Sequence, residues 1–262
     1  MFKMCGLSVV TLILLFIGQV FAVGKVEISS TEIRGTKVRF ASIGSKVFDT
    51  VIFAIPGKET TIQDMTLGVY NAASKGGCSN RVKVITVDFG KTPYNLLGRK
   101  LIGELQLNVV MDKMVKKYGR GKKVVLVGFS KGAQAIQRYS LVHKITGQKK
   151  FLLGCASSWT FLDEKVNWKY GLRNFPPPFD VKSIVPHARK NEYLIVCGSE
   201  DKGSSDNSKE AKAQGAGRID RAKSLLKNLA SKKVKANMRI AKGVGHNAAK
   251  VFEKTAGKYI CS

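Results

Sequence analysis

Apolar positions along this chain change period repeatedly, between unbroken runs of five or six and stripes spaced three and four apart. Val51-Ile52-Phe53-Ala54-Ile55 is such a run and stops at Pro56-Gly57, as a strand covered on both faces would. Residues 82–89, 123–128, 151–155, 193–197 and 236–241 read as further strands, and 25–29 and 36–41 as a pair joined by a turn at Arg34-Gly35. Helical spacing predicts helices over 61–74, over 98–118 with Leu101, Ile102, Leu105, Val109 and Met114 inward, and from 131 to about 145. Gly119 and Gly121 end the second of these. Asp206 is an expected N-cap for a helix carrying Ile219, Ala222, Leu226 and Leu229 on one face, and a last helix is expected over 247–259. Repeated strand–helix alternation predicts an α/β fold: a mostly parallel eight-stranded central sheet with helices on both faces.

The strand at 123–128 runs directly into Gly128-Phe129-Ser130-Lys131-Gly132, then into a helix. A G-x-S-x-G segment in that position predicts a nucleophile elbow, a turn tight enough to need small residues two before and two after the serine. A serine hydroxyl is a poor nucleophile until a base takes its proton, and the base needs an acid to orient it. Three histidines are available. His143 lies 13 residues beyond Ser130 on the same predicted helix, about 20 Å along its axis at ~1.5 Å per residue. His187 precedes the 193–197 strand, whereas sites in parallel sheets form at carboxyl ends. His246 follows the last strand and opens a loop before a helix, so it is the expected base. Gly198-Ser199-Glu200-Asp201 follows the 193–197 strand directly, making Asp201 the expected acid and Glu200 the alternative. Asp88 also ends a strand, but it precedes the serine in the chain.

With these residues in their order, the chain resembles an α/β-hydrolase-fold serine hydrolase of the esterase and lipase kind, over about residues 25–260. The resemblance implies first strands antiparallel to the rest, and a triad of Ser130, Asp201 and His246 acting through an acyl-enzyme with no metal or cofactor. It further implies an oxyanion hole built from the backbone N–H of Lys131 and a second donor at Gly57 or Lys58. The chain departs from the common His-Gly pattern there by having Pro56-Gly57, and proline cannot donate. The side chains of Lys131 and Lys58 would either bring two cations to the oxyanion or point into water. A lid position in such folds corresponds to residues 156–190. Trp159, Phe161, Trp168, Tyr170, Phe175, Pro176-Pro177-Pro178 and Phe179 there suggest a short fixed loop that lines a substrate pocket or packs on itself.

Residues 1–22 read as a secretory signal, with Lys3, an apolar run from Val9 to Ile17, and Val20 and Ala22 placed for a cut before Val23. An uncleaved anchor over 4–22 is the alternative, weakened by Gly18-Gln19. Residues 23–262 then form one hydrolase domain, with the short insertion at 156–190, and the product is expected outside the cell. Cys78, Cys155, Cys197 and Cys261 remain in an oxidising setting. Cys155 and Cys197 near the ends of two strands would leave Cys78 to tie down Cys261, unless one or both pairs are free buried thiols.

The formal charge is +27, from lysine doublets spread along the whole chain. A field of that sign attracts anionic lipid membranes, acidic polysaccharides or nucleic acid. The spread of lysines, without arginine forks and aromatic platforms, argues against specific nucleic-acid binding. Two functions follow: hydrolysis of small-molecule or lipid carboxylic esters, or a catalytically silent hydrolase scaffold that binds anionic surfaces.

Overall fold

The computed structural model describes residues 25–33, 36–88, 107–143, 149–176 and 179–262. The expected leader, the Arg34-Gly35 turn, the start of the 98–118 helix and Pro177-Pro178 lie outside these residues. Eight strands form one sheet: β1 (Glu27–Ile33), β2 (Thr36–Gly44), β3 (Thr50–Ile55), β4 (Val82–Asp88), β5 (Lys123–Phe129), β6 (Lys149–Gly154), β7 (Glu192–Gly198) and β8 (Lys235–Ala241). Their spatial order is β1-β2-β4-β3-β5-β6-β7-β8. β2 pairs antiparallel with both β1 and β4, and every later pairing is parallel. All six residues of β3 are buried, and successive strand residues face opposite sides, so both faces are covered. The edge strands differ: β1 is mostly exposed, and β8 keeps Lys235, Arg239 and Ile240 in or near water.

The helices are α1 (Ile62–Lys75), α2 (Leu107–Tyr118), α3 (Lys131–Val142), α4 (Val181–Ala188), α5 (Lys209–Ala213), α6 (Arg218–Ser231), α7 (Ala248–Thr255) and α8 (Gly257–Cys261). α1 packs against α7 and α8, while α3 packs against α4. Thr61 caps α1, its hydroxyl accepting from the Asp64 N–H at 3.0 Å. The described part of the 98–118 helix buries Val110, Met111 and Met114.

Three local expectations are corrected. Asp206 does not cap the helix after β7. Ser208 caps the short α5, and α6 begins only after Gly217. A side chain at 217 would collide with the Lys202 carbonyl, and Gly215 sits at φ +146°, so the chain turns twice before α6 can start. α6 then buries Ala222, Leu225 and Leu229, with Ile219 and Leu226 packed at its margins. The last helix is split at Ala256-Gly257. A Cβ at 257 would fall 2.6 Å from the Ala72 carbonyl, so the break lets α8 lie on the end of α1. Finally, the 156–190 insertion is not wholly loop, because Asp180 caps α4 within it. Its aromatics pack on one another, Trp168 against Phe175 at 4.6 Å and Phe175 against Phe179 at 6.2 Å, with the Arg138 guanidinium 5.3 Å over Trp168.

Cys78, just past α1, is disulfide-bonded to Cys261 of α8, while Cys155 and Cys197 are free and buried. The bridge spans 183 positions and so removes much of the unfolded chain's freedom. Cys78→Ser should therefore lower stability by about 2–5 kcal/mol in chemical unfolding under oxidising conditions, and a reductant should bring the unsubstituted chain close to the same midpoint.

Candidate active site

Ser130 stands alone between β5 and α3 at φ +53°, ψ −118°, a conformation that side chains rarely adopt. Neighbouring backbone holds it there. Its N–H donates to the Gly154 carbonyl at 2.7 Å, and its own carbonyl accepts from Ala133 at 3.1 Å and Gln134 at 3.3 Å. The glycines two residues to either side are required by contact. A Cβ at 128 would collide with the Gly132 carbonyl, and one at 132 with the Ile55 carbonyl at the end of β3. α3 thus leaves β5 by crossing close over β3. The loop after β3 also comes close, since a Cβ at Gly57 would lie 2.7 Å from Ser130 Cβ. Lys58 and Lys131 are exposed, the outward alternative of the two considered.

Asp201 and His246 are brought together by the ends of β7 and β8. The Ser199 N–H donates to the Ala241 carbonyl at 3.0 Å, and the Glu200 N–H to the Val244 carbonyl at 2.9 Å. Gly198 permits this approach, because a side chain there would strike the Val244 carbonyl. His246 Nδ1 lies 2.6 Å from Asp201 Oδ2. Asp201 is almost wholly buried, while Glu200 is exposed. On the serine side, the His246 ring packs 4.7 Å from the ring of Phe129, the residue before Ser130. The structure therefore joins Asp201 to His246 and packs the imidazole on the residue before Ser130. Among the described residues no hydrogen bond links Ser130 Oγ to the imidazole; such bonds commonly tighten only when substrate binds.

The other candidates lie elsewhere. His143 ends α3, stacked on Tyr139 at 4.3 Å, and its carbonyl faces His187 Nε2 at 3.1 Å. Asp88 pairs with Arg39 at 2.6 Å. Asp206 organises a polar cluster, accepting from Ser158 at 2.8 Å, Tyr170 at 3.0 Å and Ser208 at 2.7 Å. Fully buried Arg221 braces the same loop, donating to the carbonyls of Ser157, Asp206 and Gly215.

Two neighbours of the acid were not legible from spacing. Arg218, the first residue of α6, donates from Nη1 to Asp201 Oδ1 at 2.9 Å. The Cys155 thiol falls within 4.8 Å of both the Asp201 carboxylate and the His246 ring. Burial pushes that thiol well up, so it stays protonated and is a poor metal ligand. Cys155, Asp201 and His246 could in principle hold a soft cation, but Asp201 already spends its oxygens on His246 and the Arg218 cation. For Asp201 itself burial acts to raise the pKa. Hydrogen bonding and charge from His246, then Arg218 and the Cys155 thiol, outweigh it and hold the carboxyl below its ordinary value.

No protein-family model and no curated protein sequence matches this chain. Solved structures do. Poly(aspartic acid) hydrolase-1 from Sphingomonas sp. KT-1 superposes with a TM-score of 0.72 at 16% identity, covering 91% of this chain and 99% of that one. The chain has the α/β-hydrolase fold. The poly(3-hydroxybutyrate) depolymerase LpqC of Bordetella parapertussis gives 0.69 at 12% identity, covering 86% of each chain. An S-formylglutathione hydrolase from Agrobacterium tumefaciens gives 0.59 at 14% identity, covering 91% and 95%. In this sheet the Ser130 turn follows the central strand β5, and the Asp–His pair follows β7 and β8.

The lowered Asp201 value has a consequence for stability. A carboxyl whose pKa falls on folding adds stability that is full above its unfolded value, about 3.9, and is lost as pH falls through the folded value. The stability deficit of Asp201→Asn relative to the native chain should therefore be widest near neutrality and narrow below about pH 4. Urea midpoints measured from pH 7 to pH 3 check this.

Proposed function

We propose that this chain is a serine hydrolase acting on carboxylic esters. The reading is carried by the buried 2.6 Å contact between Asp201 and His246, seated beside a serine held at an elbow. In this mechanism His246 Nε2 takes the Ser130 proton as Oγ attacks the ester carbonyl. Asp201 holds the ring through Nδ1 and offsets the imidazolium charge. The tetrahedral oxyanion is received by the Lys131 N–H, the first of α3, and by an N–H at Gly57 or Lys58, whose loop closes on Ser130. The alcohol then leaves with the proton from His246. Water, deprotonated by the same imidazole, releases the acid from the acyl-enzyme.

Residues 1–22 are best read as a secretory leader preceding the hydrolase domain, in keeping with the Cys78–Cys261 bridge. Among the described residues no helix is long and apolar enough to cross a membrane. The net charge of +27 favours esters that are anionic or presented on anionic lipid or polysaccharide. Two structural neighbours, a poly(aspartic acid) hydrolase and a poly(3-hydroxybutyrate) depolymerase, add amide and ester polymers to the substrates to test.

The test combines a fluorophosphonate label with p-nitrophenyl esters of increasing acyl length. The folded native chain should take up one label per molecule and Ser130→Ala none. Ser130→Ala and His246→Ala should each lose at least about a thousandfold in kcat/KM. Folded native protein that resists the label and shows no turnover would replace this reading with that of a silent cationic scaffold.

A further inference from the structure

The acid of the candidate triad is gripped from both sides. Its side chain is 1% exposed; Oδ2 faces His246 Nδ1 at 2.6 Å and Oδ1 receives Arg218 Nη1 at 2.9 Å. Arg218 is itself largely buried, 12% exposed, and among the described residues its Nε has no hydrogen-bond partner. The guanidinium therefore desolvates a charge and leaves a donor unused in order to reach this carboxylate, and that cost calls for a role. Its backbone is placed as specifically as its side chain. The Arg218 N–H donates to the Gly203 carbonyl at 3.3 Å, and Gly217 lets the start of α6 close on the Lys202 carbonyl. Acid loop and helix start are thus one assembly.

Resting on the reading of Ser130, Asp201 and His246 as a triad, we propose that Arg218 is a positioning residue for ester hydrolysis. It locks the Asp201 carboxylate so that Oδ2 stays on His246 Nδ1, and the ring keeps the orientation in which Nε2 is free to take a proton. Without the arginine, Oδ1 loses its buried partner and the carboxylate can turn away from the ring.

The experiment measures kcat and KM separately for a p-nitrophenyl ester near neutral pH, for the native chain, Arg218→Met and Arg218→Lys. Arg218→Met should lose about tenfold in kcat with KM little changed, as misorientation of the base would cause. Arg218→Lys, which keeps a cation against the carboxylate, should recover most of that loss. If Arg218→Met does not fold, Arg218→Gln makes the same comparison, since it keeps polar volume and drops the charge. A folded, charge-free variant with native kcat, or one whose loss lies in KM, overturns the proposal. Failure of the triad reading shows separately, as turnover in the native chain that does not depend on Ser130.

Discussion

The crossing of α3 over β3 sets the geometry from which everything else at this site follows. The backbone at 128 and 132 comes so near its neighbours that no Cβ fits, and Ser130 is left at positive φ between them. Such a turn is costly in isolation and persists because the sheet around it is fully packed. β3 and β5 are buried nearly end to end, and their parallel register places Ile55 opposite Gly128. The same register brings the loop after β3 onto the serine, so the proposed nucleophile and the proposed oxyanion donors share one rigid mount.

A second constraint is electrostatic. Placing a carboxylate where water cannot reach it is unfavourable unless its charge is answered. Here a neutral or protonated imidazole answers on one oxygen and a guanidinium on the other. The polar cluster around Asp206 and Arg221 supports the arrangement indirectly, because it fixes the loop that carries Asp201 to α6. Among the described residues most other charged side chains are at least partly exposed, with Arg138 and Lys150 buried as well.

The strand runs and the tight turn at Gly128–Gly132 were legible in the sequence because each depends on local pattern, and the meeting of Asp201 with His246 because both follow strand ends. An apolar run reports burial on both faces, and Gly-x-Ser-x-Gly reports a close backbone approach. His143 and His187 could be set aside from chain position alone, and the structure places both away from the elbow. What failed depended on tertiary contact. Asp206 looks like a helix cap, yet the Gly215 and Gly217 turns delay the helix and free that carboxylate for side-chain partners. The split of the final helix follows from Ala72 facing Gly257, which no periodicity reveals. Arg218 is one of 45 basic residues, and nothing in its flanking sequence separates it from those that face water. The pairing of Cys78 with Cys261 was one of several options until α8 was seen against the end of α1.

That bridge reaches further than its distance from the elbow suggests. It secures α8 to α1, and α7, which begins two residues after His246, packs on α1 beside it. The imidazole is therefore mounted on an element whose far end is fastened by a bond that exists only under oxidising conditions. Protein made in a reducing cytosol would carry a slacker histidine arm.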